Sequence, residues 1–66
     1  MNWLKQIRKQ RGFTQMRLGK AIGKYQPFIH NIEKHYYVPT EEEKQMLAQA
    51  LGVSVSDIFP QDVRLS

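Results

Sequence analysis

The 66-residue sequence has no cysteine, four glycines, three prolines and one tryptophan. Without cysteine, neither a disulfide nor a cysteine-ligated zinc can staple the fold. A chain this short buries only about 60% of its unfolded surface, so the fold must be compact and locally simple. Its hydrophobic residues, 41% of the total, have to supply the core unaided. No apolar run approaches the ~18 residues of a membrane span, and the amino terminus lacks a signal-peptide apolar stretch. A cytoplasmic protein is expected. Repeats, low-complexity tracts and linkers are also missing, which points to one small domain over residues 1–66. Strict apolar–polar alternation is nearly absent. Val53 to Ser56 comes closest, but Ser54 followed by Asp57, then Ile58 and Phe59, reads as a capped helix. The expected class is all-α.

Carboxylates are scarce where basic residues are dense. Residues 1–35 carry eight Lys or Arg against Glu33 alone, while residues 36–66 carry Lys44 and Arg64 against five acidic residues. The net charge of +4 therefore averages a +7 half and a −3 half. A basic half on so small a domain suits a polyanion, nucleic acid before an anionic membrane surface. Charge alone is also compatible with ordinary solvated helices.

Five short helices are readable. Leu4 and Ile7, with Trp3, form an apolar stripe on the first, with Asn2 available as N-cap and Gly12 as a left-handed terminator. Thr14 caps a second helix over Gln15 to Ile22, on which Leu18 and Ile22 share a face, and Gly23 ends it. A third begins near Gln26 or Pro27 and runs to Glu33 with Ile29 and Ile32 inward. After Pro39, Thr40 and Glu43 make a capping box, with Glu41, Glu42 and Glu43 at the positive end of the helix dipole. That placement makes the Glu triplet structural rather than metal-binding. Met46, Leu47, Ala50 and Leu51 face inward from this fourth helix and Gly52 stops it. Ser54 and Asp57 open a fifth, which Pro60 ends.

The stretch from Thr14 to Glu33 places two short helices around a tight turn at Gly23, with Gly19 small enough for close approach. These residues resemble the Cro/repressor-type, or XRE-like, helix-turn-helix family of phage and bacterial regulators. The matching positions are Leu4, Arg8, Gly12, Phe13, Thr14, Gln15, Leu18, Gly23, Ile29, Ile32 and Glu33. The likeness continues through Pro39, Leu47, Ala48, the run from Ala50 to Ser54, and Ile58 with Phe59, so that it spans residues 4–59. It departs at Gly19, where the family usually has Ala. It departs again at Lys24 and Tyr25, where a hydroxyl-bearing helix cap is usual, and at Lys34 and His35, where Asn-Gly is usual. His35 is thereby expected at positive φ.

The resemblance implies a compact five-helix, lambda-repressor-like DNA-binding domain, with a helix-turn-helix unit over residues 14–33 and a short tail over 60–66. It implies that Gln26 reads a base edge, for which a Gln amide suits adenine N6 and N7. Asn31 either reaches the same groove or buttresses Gln26. Pro27 stiffens the first turn of this base-facing set. Phe28 meets a thymine methyl if exposed and joins the core if turned inward. Gln15 is expected at phosphate, and Arg17, Lys20, Lys24 and Lys34 are candidate backbone clamps. Tyr36 and Tyr37 either donate to phosphate or pack on Pro39 and the fourth helix. Arg8 and Glu33 are expected as a partly buried ion pair joining the first and third helices.

The function expected is sequence-specific binding of double-stranded DNA by a Cro-like transcription repressor. Two copies, a weak homodimer, would meet successive major grooves of an inverted repeat ~34 Å apart. Dimer contacts are assigned to the carboxyl part, including Val63 and Leu65. An antitoxin-like or regulatory protein-interaction module is the alternative, with the acidic half as its surface. A membrane-binding helix over Asn2 to Phe13 is the weaker third. His30 and His35 have no cysteine partner, so no metal or other cofactor is expected. Nothing suggests catalysis: there is no Ser-His-Asp set, glycine-rich phosphate loop or paired carboxylate in an apolar cleft.

Overall fold

The computed structural model describes residues 2–60, so the proposed dimer contacts at Val63 and Leu65 lie outside the described residues. Helices α1 (Leu4–Gln10), α2 (Gln15–Ala21), α3 (Gln26–Glu33), α4 (Glu41–Leu51) and α5 (Val55–Ile58) follow in order, with no strand among the described residues. Each start and stop has a local cause. Thr14 Oγ1 accepts from Arg17 N at 3.0 Å and so closes the first turn of α2. At α4, Thr40 Oγ1 accepts from Glu43 N at 3.2 Å while Glu43 Oε1 accepts from Thr40 N at 2.9 Å. Ser54 and Asp57 form the same reciprocal pair at α5. Gly12, Gly23 and Gly52 occupy the left-handed region at the turns, and His35 joins them at φ 65°. For a residue with a Cβ that conformation is uncommon.

Two expectations at the amino end are corrected. Trp3, not Asn2, is the N-cap of α1, and Trp3 lies outside the helix with 45% of its surface exposed. Asn2 does the capping from one residue upstream: its Oδ1 accepts from Leu4 N at 3.1 Å. Its Nδ2 donates to Ile32 O at 3.1 Å, which ties the amino terminus to the end of α3. A single Asn thus serves two helices, an arrangement that spacing along the chain does not reveal.

The core is one cluster. Leu4, Leu18, Ile29, Ile32, Leu47 and Ile58 are fully buried, with Ile22, Ala48, Leu51 and Phe59 around them. Every helix contributes at least one of these residues, so burial rather than helix propensity holds such short segments together. Phe28 and Met46 pack half-buried against the cluster. Lys44 is buried as well: its ammonium lies 3.6 Å from Glu41 and 5.4 Å from the Phe59 ring centroid, while its stem covers apolar surface.

Gly19 governs how closely α2 and α3 approach. A Cβ on it would lie 3.0 Å from the carbonyl carbon of Tyr25 and 3.1 Å from its oxygen. The backbone itself uses the space, since Lys24 N donates to Gly19 O at 2.8 Å. A Gly19→Val variant should therefore lose about 1–3 kcal/mol in urea denaturation, through overpacking against the turn. A midpoint equal to the wild type would show that the turn moves freely.

The two capping carboxylates also set an acid limit. The Thr40 backbone N–H, then the Tyr37 hydroxyl, hold Glu43 below the usual carboxylate range, and Lys24 adds to this. The Ser54 backbone N–H and hydroxyl do the same for Asp57, helped by Arg11. A depressed native pKa contributes stability above the unfolded pKa that is lost as pH falls through the native one. The melting temperature should fall on acidification below the ordinary carboxylate range. The acid limb should be shallower in a Glu43→Gln, Asp57→Asn double variant, and parallel curves would contradict this assignment.

Candidate nucleic-acid interface

A chain of polar contacts runs from α1 to the first turn of α3. Arg8 Nε donates to Glu33 Oε2 at 2.7 Å and Arg8 Nη2 to Glu33 Oε1 at 3.3 Å. The side chains are only 8% and 4% exposed, which makes this a buried two-point ion pair. Arg8 Nη1 donates to Phe13 O at 2.8 Å, so the same guanidinium holds the α1–α2 turn. Glu33 Oε1 accepts a further bond, from Gln15 Nε2 at 3.0 Å. Gln15 Oε1 in turn accepts from Gln26 Nε2 at 3.2 Å. The bond that Gln15 donates to Glu33 makes Gln15 present its oxygen to Gln26, an exposed residue whose amide has a carbonyl oxygen and a second N–H beyond the one this contact uses.

Gln26, Pro27 and His30 are exposed on α3, while Ile29 and Ile32 are buried beneath them. Asn31 is half-buried, and its backbone oxygen accepts from Tyr36 N and Tyr37 N at 2.8 and 3.2 Å. Phe28 is half-buried between Lys24 Nζ, 5.3 Å from its centroid, and the Tyr37 ring at 5.6 Å. Its ring therefore packs on the flank of α3.

The expected phosphate contacts fall into two groups. Arg17, Lys20, Lys34 and Tyr36 are exposed, with Arg17 stacked 5.4 Å over Phe13 and Tyr36 edge-on to His30 at 6.5 Å. Gln15 lies in an open groove with Lys9, Gly12, Thr14, Met16 and Gln26, where first-turn N–H groups of α2 lack intrahelical partners. Lys24 and Tyr37 are instead engaged by Glu43, at 3.6 and 2.7 Å. Tyr37 is thereby bonded through its hydroxyl to the first turn of α4. Its hydroxyl pKa is raised, first by the hydrogen bond it donates to Glu43.

Two neighbours of the site escaped the sequence reading. Tyr25, the N-cap of α3, makes no side-chain cap bond and is 82% exposed beside Gln26. The available signal was that it replaces a capping hydroxyl, which frees the side chain from a local role. Met16 stands 55% exposed near the start of α2.

This architecture, two short helices braced at a glycine turn with the second presenting an exposed polar first turn, defines a helix-turn-helix protein. A family model described as helix-turn-helix matches residues 4–58. The chain belongs to the XRE-type helix-turn-helix family, whose members are DNA-binding regulators. No curated protein matches it individually. Among the described residues, no helix is long and apolar enough to cross a membrane.

The Arg8–Glu33 pair supports the whole polar chain. Glu33→Ala should cost about 3–5 kcal/mol in chemical denaturation, because it leaves a buried guanidinium without its counter-charge. A loss below about 1 kcal/mol, the range of an exposed pair, would contradict the burial seen here.

Proposed function

We propose that the chain is a sequence-specific double-stranded-DNA-binding regulator, a Cro-like repressor that inserts α3 into the major groove. The observation that carries this reading is the Gln26 amide, exposed at the start of α3 and oriented by Gln15 and Glu33. A preset amide can pair with adenine N6 and N7 without first losing rotamer freedom. Pro27 and Asn31 complete the base-facing set, with Tyr25 beside it. Phe28 serves this reading by packing rather than by direct contact.

Phosphate contacts are assigned to Arg17, Lys20, Lys34 and Tyr36, and to the groove at Gln15. Contacts to phosphate set affinity and register, whereas base contacts set sequence. Two copies acting on an inverted repeat, with recognition helices ~34 Å apart, would occlude a promoter.

Selection from a random duplex pool supplies the site for the test. Gln26→Ala should lose about 1–3 kcal/mol on that site and relax one base position, while Lys20→Ala weakens selected and scrambled duplexes alike. Equal affinity of the Gln26 variant for both duplexes, with no loss at either, would overturn the base-reading assignment. If the wild type selects no duplex but forms a stoichiometric protein complex that Gln26→Ala leaves intact, the protein-interaction alternative replaces this reading.

A further inference from the structure

Four side chains close over one flank of α3. Glu43, in the first turn of α4, is their centre. Its Oε1 accepts from Tyr37 Oη at 2.7 Å, and its Oε2 lies 3.6 Å from Lys24 Nζ. Between these two, the Phe28 ring lies 5.3 Å from the ammonium and 5.6 Å from the Tyr37 ring centroid. Lys24 stands two residues before α3 and Tyr37 four residues after it, so the cluster brackets the helix. Both are side chains capable of meeting a phosphate, and both are turned onto the same carboxylate.

That carboxylate is held in place independently of them. Thr40 N donates to Glu43 Oε1 at 2.9 Å, which fixes the carboxylate as part of the α4 cap. The Glu43 side chain is 15% exposed and that of Lys24 37%. The Lys24 side chain is thus partly open to solvent, and hence to a phosphate, while that of Glu43 is more covered. A lysine in this state can meet a phosphate only by giving up Glu43.

We infer that Glu43 restrains DNA affinity by holding Lys24 and Tyr37 off the phosphate backbone, so that Lys24 neutralises no phosphate in the wild-type complex. The inference deepens the DNA-binding reading and rests on it. Every phosphate neutralised strengthens binding to all duplexes alike. Withholding one cation beside the recognition helix lowers that sequence-independent component and leaves Gln26 untouched.

The test compares wild type, Lys24→Ala, Glu43→Gln and the double variant, all in the full chain. Glu42→Gln, at an exposed carboxylate one residue earlier, controls for the loss of a charge. Binding to a mixed-sequence duplex two helical turns long is followed by fluorescence anisotropy across a salt series. Gln at the third helical position also serves a capping box and can accept the Tyr37 hydrogen bond, so the substitution removes the charge and keeps the geometry. Lys24→Ala should leave the wild-type slope of log K against log salt within about 0.3 of its value. Glu43→Gln should steepen it by about 0.9 and raise affinity roughly fivefold at ~0.1 M salt. Adding Lys24→Ala to Glu43→Gln should abolish both changes, while Glu42→Gln alone moves the slope far less.

A wild-type slope that Lys24→Ala already lowers by about 0.9 would overturn the inference, whether or not the Glu43 variant folds. Indistinguishable effects of Glu43→Gln and Glu42→Gln would overturn it too, as a general charge effect. Absence of any salt-dependent duplex binding by the wild type would remove the DNA reading and this inference with it.

Discussion

The Arg8–Glu33 pair is the constraint on which the proposed DNA-facing surface depends. Removing both charges from water is costly, and attraction alone rarely offsets it. Here the remaining hydrogen-bonding capacity is also used: Arg8 reaches Phe13 O, and Glu33 accepts from Gln15. One buried pair therefore fixes the end of α3 against α1, holds the α1–α2 turn and orients the first side chain of α2. The last of these is transmitted to Gln26 at the other end of α3. In a domain too small for a large core, a polar network with satisfied partners gives the geometric definition that apolar packing alone leaves loose.

The charge division along the chain gains a structural meaning from the same arrangement. Most of the +7 half remains on exposed surface, with Arg8 withdrawn into the scaffold. The acidic half is not a uniform counter-surface. Glu41 pairs with Lys44, Glu43 reaches the flank of α3, and Asp57 caps α5. Helix caps thus account for much of the acidity, and one of them reaches the flank of α3.

Much of the fold was legible because its signals are local. Thr14, the Thr40–Glu43 box, the Ser54–Asp57 box and the glycines at 12, 23 and 52 act within a few residues of where they stand. The Arg8–Glu33 pair, 25 residues apart, followed only from the family resemblance. Features that depend on distant partners were not visible. Asn2 bonds Ile32 across 30 residues, Gln15 bridges Glu33 and Gln26, and Lys24 meets Glu43. Gly19 in place of the family's usual Ala costs about 1 kcal/mol of helix propensity, and its smallness marks a close approach of α2 and α3. The approach of the Tyr25 backbone gives it a steric reason. Residue types marked the candidate surface. Only packing divides the exposed Lys20 and Arg17 from the engaged Lys24 and Tyr37.

The most direct test of the central claim is a backbone-amide NMR titration of the labelled chain with a selected duplex. The largest shift changes are expected at Gln15 to Arg17 and at Tyr25 to His30, with α5 nearly unmoved. Changes concentrated at Trp3 and α5, with the amides of α3 unmoved, would contradict it.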